Sequence, residues 1–231
     1  MRPFVFINVA VTADGKMDSF ERRGSAISSR ADKERVLRLR AEADAVMVGG
    51  QTLINEDPKL TVKSSQLRQE RAARGQPENP IKVGVTSQAL PQLGGDFMTA
   101  GPARRVIFTT SRAAPEQVGL LSNQGVEIHI LGEKRVNLEK ALERLHALGV
   151  TRLMVEGGGT LNFELLRLGF VDELYVYLAP IIFGGQTAPT LADGAGFTAT
   201  NGMRLKLINT QVLDETGGLL IRYQCQRKDL Q

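Results

Sequence analysis

The sequence is poor in cysteine and has no long hydrophobic run. Its 231 residues include a single cysteine, Cys225, so an internal disulfide is excluded. The N-terminus lacks the charged start, apolar centre and cleavage site of a secretory signal. No apolar run approaches the roughly 18 residues that suggest a membrane span. These absences predict a cytoplasmic protein.

Charge and aromatic content are also modest. The chain carries 29 Lys and Arg against 25 Asp and Glu, a formal net charge of +4 at pH 7. Such a field favours phosphorylated ligands over cationic ones. The basic residues are scattered and few aromatic residues stand between them, so the sequence predicts no nucleic-acid-binding surface.

Periodicity predicts alternating strands and helices. Short runs rich in β-branched and aromatic residues predict nine strands, at Phe4–Val11, Ala45–Val48, Ile81–Thr86, Arg105–Thr109, Val126–Leu131, Arg152–Val155, Glu173–Leu178, Leu205–Val212 and Gly218–Cys225. Helical patterns cover Ser29–Ala43, Pro115–Asn123, Leu138–Leu148 and Leu161–Leu168. This alternation is typical of an α/β fold with a mainly parallel sheet. The last two strands have no helix between them, which favours an antiparallel hairpin turning at Glu215-Thr216-Gly217.

The sequence shows neither an internal repeat nor a clear domain boundary. We therefore expect one domain over residues 1–231. The stretch Ser64–Pro80 is polar, charged and rich in turn-forming residues, and we interpret it as an exposed excursion.

A glycine-rich turn follows the sixth predicted strand, in LMVEGGGTLNFELLRLGF at residues 153–170. The turn consists of Glu156, Gly157, Gly158, Gly159, Thr160 and Leu161. Backbone N–H groups at a helix start lack intrahelical partners, and glycine lets a phosphate approach the backbone closely. A pyrophosphate is therefore the expected ligand, although a plain tight turn would also account for these glycines.

Two further segments place polar residues at strand ends. In AVMVGGQTLINEDPKLTV, a strand leads to Thr52 and the acidic pair Glu56-Asp57; alternatively, Thr52 caps a helix and Asp57 starts a turn. In NVAVTADGKM, a strand runs into Asp14 and Lys16. Open α/β sheets bind ligands at the carboxyl ends of their strands, so these segments are candidate site elements.

Three segments together resemble, in order and spacing, the pyrimidine reductases of riboflavin biosynthesis. The segments are VTADGKM, VMVGGQTLINEDPKLTV and VEGGGTLNFELLRLGFVDELYVYLAPIIFGG. These reductases are the stand-alone reductase of archaea and fungi and the C-terminal reductase domain of the bacterial bifunctional protein. The resemblance covers nearly the whole chain. It implies a dihydrofolate-reductase-like fold, in three α/β/α layers with a mixed, mainly parallel sheet of about nine strands. It also implies NADPH as cofactor and a homodimer.

The resemblance assigns roles to individual residues. The residues it implies as cofactor contacts are Thr52, Glu56, Asp57, Thr86, Ser87, Ser111, Arg112, Gly157, Gly158, Gly159, Thr160 and Leu161. Many relatives have two aspartates where this chain has Glu56-Asp57. Arginine suits a 2′-phosphate because its donors are forked, which favours NADPH over NADH. Substrate contacts fall to Ser25, Ser28, Arg40, Leu60, Lys63 and Glu156, although Arg40 would also fit a solvated helix face.

The implied reaction reduces a ribosylamino group to ribitylamino. C1′ of the sugar becomes an imine and accepts a hydride from nicotinamide. No metal and no protein nucleophile is needed, only two positioned ligands, cations for the 5′-phosphate and a group that moves a proton. Glu156 is the first candidate for that group, followed by Lys16 and Asp14. Alternatively, Glu156 accepts backbone N–H bonds from the turn that follows it.

The zinc deaminase of the bifunctional relatives needs an HxE and a PCxxC motif. One cysteine and two histidines, His129 and His146, exclude such a site in this sequence, and we interpret both histidines as structural or surface residues. The sequence does not distinguish a diaminopyrimidinone substrate from the deaminated uracil. An oxidoreductase of similar fold for another small carbonyl or imine, and a non-catalytic nucleotide-binding module, stay as alternatives.

The segment DELYVYLAPIIFGG is apolar over more than one face. We expect it to leave Tyr175, Tyr177 or Ile182 for a partner subunit of the homodimer. A fully buried central strand within one chain is the alternative.

Overall fold

A computed structural model describes residues 1–22, 24 and 27–226. Within these residues the strands are β1 (Phe4–Thr12), β2 (Ala45–Gly49), β3 (Ile81–Val85), β4 (Arg105–Thr109), β5 (Glu127–Ile130), β6 (Arg152–Val155), β7 (Glu173–Ala179), β8 (Arg204–Val212) and β9 (Leu219–Gln226). The helices are α1 (Arg30–Glu42), α2 (Ser65–Ala73), α3 (Asp96–Thr99), α4 (Pro115–Asn123), α5 (Leu138–Ala147) and α6 (Gly159–Arg167). A short π-helical turn spans Thr52–Glu56.

The predicted fold class is confirmed. The strands form a mixed, mainly parallel α/β arrangement, and β8 and β9 pair as the expected antiparallel hairpin. The four predicted helices are confirmed with small changes at their ends. The chain folds into two compact units, the first of Met1–Phe4 and Leu37–Met154, the second of Val5–Val36 and Val155–Gln231. The prediction of one domain stays a prediction.

The first unit contains four neighbouring parallel strands in the order β5-β4-β3-β2. Strand β2 is buried at all five of its positions, as expected for an apolar strand inside a parallel sheet. The register places Gly49 beside Val85, Val85 beside Phe108, and Thr109 beside Ile130. The carboxyl ends of these strands therefore lie at one edge, and the residues that follow them come together there.

The stretch Ser64–Pro80 is largely exposed, as predicted, and the structure adds that it contains helix α2. Ser64 caps this helix by accepting a bond from the N–H of Leu67. Arg71 is only 1% exposed, and its guanidinium donates to the carbonyls of Ala41 and Ala43 at the end of α1. A polar sequence is thus folded against α1 because a buried arginine satisfies carbonyls that a helix end leaves open.

The second unit contains the strand order β1-β7-β9-β8. Strand β1 pairs with β7 in parallel, while β9 is antiparallel to both β7 and β8. All nine residues of β8 are exposed. The described residues include no helix of sufficient length and apolar character to span a bilayer.

Two of the three residues expected to face a partner subunit are buried within this unit. Tyr175 is 7% exposed and packs its ring against Phe6, with 5.3 Å between centroids. Tyr177 is 1% exposed, and its hydroxyl donates to Asp214 at 3.0 Å. The expectation is therefore wrong for both tyrosines, whereas Ile182 is 73% exposed.

Candidate active site

In the first unit, the ends of β2 and β3 meet closely. Gly50 follows β2, and a Cβ atom at this position would lie 3.1 Å from the Thr86 hydroxyl oxygen. Thr86 itself is buried and donates this hydroxyl to the carbonyl of Ala89 at 2.7 Å. Thr86, a predicted cofactor residue, therefore stands directly beside the glycine that precedes the Thr52 turn.

Hydrogen bonds connect the residues that follow β3 and β4. The Thr110 hydroxyl donates to the Ser87 carbonyl at 2.5 Å and accepts from the Arg112 N–H at 3.2 Å. The exposed Arg112 guanidinium donates to the Gln88 side chain at 2.8 Å, and Ser111 donates its N–H to a carbonyl after β5. The structure thus brings the predicted cofactor residues Ser87, Ser111 and Arg112 to one strand edge.

The Thr52–Glu56 turn differs from the sequence-based alternatives. Gln51 occupies the cap position and its side chain makes no capping bond, so Thr52 is not a helix cap. Thr52 lies inside the turn and is 8% exposed, whereas Glu56 is exposed.

Asp57 ends this turn in a left-handed conformation, with φ of 44°. Its carboxylate accepts the N–H groups of Asp96 at 2.6 Å and Phe97 at 2.9 Å, at the start of α3. A Cβ atom on Gly95 would collide with both carboxylate oxygens. Asp57 therefore fixes the β3–β4 connection in place, which goes beyond the turn start that the sequence offered as its alternative role.

Three predicted substrate residues lie near one another in the first unit. The Arg40 guanidinium donates to the Thr61 carbonyl at 3.3 Å, two residues before the exposed Lys63. Leu60 is fully buried and has a positive φ of 48°. Beside it, Val62 packs in a core cluster with Ala41, Leu67 and Leu37, which holds this extended segment against the end of α1. Arg40 is therefore not simply a solvated helix residue.

In the second unit, the turn after β1 is organised by Thr12. Its buried hydroxyl donates to Asp14 at 2.6 Å and accepts the Lys16 N–H at 2.9 Å. The Asp14 carboxylate also accepts the N–H groups of Phe183 and Gly184. The bond from Thr12 is the main cause that lowers the pKa of Asp14, so this carboxylate stays ionised and anchors the turn that presents Lys16.

The glycine turn of the second unit opens α6 as expected. Gly157 has a positive φ of 98° and nothing within 4 Å of where a Cβ would be, while Gly158 caps the helix without a side-chain bond. The cis peptide bond of the turn joins these two glycines. Glu156 is half-buried, Thr160 exposed and Leu161 buried. The clear space beside Gly157 leaves room for an anionic ligand at the start of α6.

Gly159 has a different reason to be glycine. A Cβ atom there would lie 2.5 Å from the Thr190 carbonyl oxygen and 2.6 Å from Asp193 Oδ2. These two residues were missed from the sequence, because nothing in a loop 31 to 34 residues downstream marks it as a neighbour of the turn.

Of the two predicted substrate serines before α1, Ser25 lies outside the described residues and Ser28 is half-buried. The adjacent Ser29 caps α1 by accepting the Asp32 N–H at 3.2 Å. It also bonds the Asp214 carboxylate, and this bond is the largest of several that hold the pKa of Asp214 far below its usual range. The loop before α1 is thus attached to the β8–β9 turn.

Within the described residues, no group of three or more His, Cys, Asp or Glu side chains is arranged to hold a metal ion. His129 stacks on Phe108 with 5.5 Å between ring centroids, and burial lowers its pKa.

The family model described as the RibD C-terminal domain matches residues 3–217. The chain belongs to the RibD C-terminal domain family. Among relatives of this family, the 2,5-diamino-6-ribosylamino-4(3H)-pyrimidinone 5′-phosphate reductase of Archaeoglobus fulgidus is 44% identical, over 85% of this chain and 89% of that protein. The protein of the same name from Methanothermobacter thermautotrophicus is 41% identical, over 96% of this chain and 98% of its own length.

A solved structure gives the same fold for this member of the RibD C-terminal domain family. The pyrimidine reductase-like protein of Corynebacterium diphtheriae superposes with a TM-score of 0.84, covering 97% of this chain and 92% of that one. The two sequences are 21% identical, so this likeness supports the fold alone.

Proposed function

We propose that this chain catalyses the NADPH-dependent reduction of the ribosylamino group of 2,5-diamino-6-ribosylamino-4(3H)-pyrimidinone 5′-phosphate to ribitylamino. The observation that carries the proposal is the 44% and 41% identity to two archaeal reductases of that name, over 85% and 96% of the chain. The proposed activity belongs to riboflavin biosynthesis, and the proposed location is the cytoplasm.

A reductase of this family implies a nicotinamide cofactor, and NADPH is our proposal within that class. The open start of α6 fits a pyrophosphate, because Gly158 adds no side chain to the cap and the space beside Gly157 is clear. In the first unit, the exposed guanidinium of Arg112 fits a 2′-phosphate. When bound, NADPH supplies the hydride.

The other cofactor residues have separate tasks in the proposal. In the second unit, Gly157, Gly158, Gly159, Thr160 and Leu161 bind the pyrophosphate. In the first unit, Thr52, Glu56, Thr86, Ser87 and Ser111 bind the remainder of the cofactor. Both oxygens of Asp57 accept N–H groups of α3, so Asp57 contributes by fixing the chain that follows Glu56.

The substrate residues divide by charge. Arg40 and Lys63 bind the 5′-phosphate, while Leu60, Ser28 and Ser25 contact the remainder of the substrate. Glu156 moves the proton that opening of the sugar ring requires, and Lys16 is the second candidate for this proton transfer. Asp14 acts through Lys16, because its ionised carboxylate holds the turn on which Lys16 lies.

The proposed assembly is a homodimer. Strand β8 ends the strand order of the second unit, so one of its edges offers unpaired backbone groups. It also exposes Leu205, Leu207, Ile208 and Val212. Since Tyr175 and Tyr177 are buried, β8 and Ile182 replace them as the proposed contact surface with a second copy.

The decisive experiment follows NADPH oxidation by absorbance with and without the diaminopyrimidinone phosphate. We expect oxidation that depends on the pyrimidine and is slower with NADH. Faster oxidation with the deaminated uracil form would reassign the substrate. NADPH binding without turnover of either pyrimidine would favour an oxidoreductase of another substrate or a non-catalytic binding module.

A further inference from the structure

The 181–194 loop contacts the turn after β1 in the second unit. Ala13 donates its N–H to the Ile181 carbonyl, and Met17 donates to the Pro189 carbonyl, each at 2.8 Å. Lys16 and Thr190 form an antiparallel bridge. The backbone of Lys16 is therefore held by this loop on the side where Thr190 lies.

The same loop contacts the first turn of α6. Asp193 donates its N–H to the Gly159 carbonyl at 3.0 Å. The fully buried Asn162 donates its side-chain amide to the Leu191 carbonyl at 2.9 Å. The missing Cβ of Gly159 leaves just enough space for Thr190 and Asp193. The loop and the glycine turn thus pack backbone against backbone.

Thr190 is the residue common to both sets of contacts, and Asp193 fixes it. The Asp193 carboxylate accepts the Thr190 hydroxyl at 2.6 Å and the Thr190 N–H at 3.2 Å. A carboxylate that accepts both donors of one residue leaves that residue little freedom to rotate. Because Thr190 contacts both Lys16 and Gly159, a shift of Thr190 would disturb the Lys16 turn and the glycine turn together.

We propose that Asp193 is a positioning residue which, through Thr190, sets the geometry of both the glycine turn and the Lys16 turn. This inference rests on the proposed function, in which the glycine turn binds NADPH and Lys16 serves the pyrimidine. Asp193 needs no contact with either ligand. Its loss weakens NADPH binding through the glycine turn and slows turnover through the displaced Lys16, because a reacting group held out of position lowers the rate even when it is retained.

The test compares Asp193→Ala, Asp193→Asn and Thr190→Val with the unchanged protein. The measurements are the Kd for NADPH alone, by fluorescence titration, and kcat and KM for the diaminopyrimidinone phosphate at saturating NADPH. For Asp193→Ala we expect the Kd for NADPH to rise about tenfold and kcat to fall about tenfold. Asp193→Asn should restore most of the affinity, because an amide oxygen still accepts the Thr190 hydroxyl.

Asp172→Ala is the matched control, since Asp172 also accepts a backbone N–H, that of Val5 at 2.8 Å, at the opposite end of β1. The control should leave Kd and kcat unchanged, and circular dichroism checks that each variant is folded. Unchanged Kd and kcat in Asp193→Ala, or equal losses in Asp172→Ala, would overturn the inference.

Failure of the proposed function has a different signature. If the protein without substitutions binds NADPH but does not turn over the pyrimidine, the proposed function is contradicted. The NADPH titrations of the variants still decide the role of Asp193. An unchanged protein that binds no NADPH contradicts both.

Discussion

At the scale of single residues, Lys82 is a charged group buried inside the first unit. The side chain is fully buried, and its amine donates to the carbonyls of Phe97 at 2.9 Å and Ala100 at 2.7 Å, at the end of α3. Burial, reinforced by the Arg105 guanidinium, lowers the pKa of Lys82 from 10.5 to about 8. The last carbonyls of α3 are thus bonded by a cation, and burying this cation costs electrostatic free energy.

This cost predicts an unusual pH dependence. Between about pH 8 and pH 10.5 the unfolded chain keeps the Lys82 proton that the folded chain has released. The free energy of unfolding should therefore rise with pH in this window, by up to about 1.4 kcal/mol per pH unit from this group. Lys82→Met should abolish that contribution.

Urea unfolding across this pH window measures the effect of Lys82→Met. Lys59→Met is the control, since Lys59 is an exposed lysine close to the same helix, with its amine 3.6 Å from Asp96. Identical pH profiles for Lys82→Met and the unchanged protein would show that the amine does not titrate in this range.

Asp57 gives a second prediction at this scale. Its carboxylate caps α3 with two bonds, so Asp57→Ala should lower the free energy of unfolding by about 1–2 kcal/mol. The neighbouring Glu56→Ala should change it by less than about 0.5 kcal/mol, because Glu56 is exposed. Denaturant titrations compare the two. Equal stability of both variants would mean that the cap is dispensable.

Local patterns predicted some residue roles and missed others for a physical reason. The strand–glycine–helix pattern around Gly157 is contiguous in sequence, so its position at the start of α6 was predictable. Asp57 bonds residues 39 and 40 positions away, and Asp193 bonds a turn 34 positions upstream. Such partners depend on the tertiary fold, which no local pattern encodes. Lys82 sits in a strand where a lysine usually indicates a solvent face.

At the scale of elements, the end of α1 and the segment after Pro58 are tied together. Arg40 donates to the Thr61 carbonyl, and Lys63 follows two residues later. Replacing either cation by alanine should raise the KM for the pyrimidine phosphate by roughly one to two orders of magnitude, because in the proposed function each cation donates a charged hydrogen bond to the phosphate. The affinity for NADPH should stay nearly unchanged. Lys59→Ala, an exposed lysine of the same segment, should alter neither constant.

Steady-state kinetics and NADPH titration together test these two cations. If Arg40→Ala and Lys63→Ala both weaken NADPH and leave the response to pyrimidine concentration unaltered, the two cations belong to the cofactor. A loss confined to Arg40 would instead point to its structural bond with Thr61.

Elements were predictable where hydrophobic spacing is regular. Helix α5 buries Leu138, Ala141, Leu142 and Leu145, the three- and four-residue spacing of an amphipathic helix. Helix α2 buries Leu67 and Arg71 instead, and α3 has four residues, so neither carries such a pattern. Their positions follow from tertiary contacts at Arg71, Asp57 and Lys82.

At the scale of the whole molecule, the proposed homodimer makes β8 the element to test. Light scattering at micromolar concentration should give the mass of two chains. Leu207→Glu with Ile208→Glu should give the mass of one, since charged side chains on an exposed edge strand oppose pairing. Leu120→Glu on α4 is the control, because Leu120 is similarly exposed at 48% and lies in the first unit. A single-chain mass for the unchanged protein would refute the dimer.

The second unit is discontinuous along the chain, and this affects the order of events during synthesis. Residues 5–36 belong to it, yet the remainder of the unit begins at residue 155, and the Val5 N–H bonds Asp172 across 167 positions. At ribosomal rates, β1 waits about 10 to 30 s before β7 exists. The core of the first unit, residues 37–154, can fold in that interval. The apolar strand β1 therefore stays without its parallel partner β7 longest, and it is the segment of the nascent chain on which a chaperone would have most time to act.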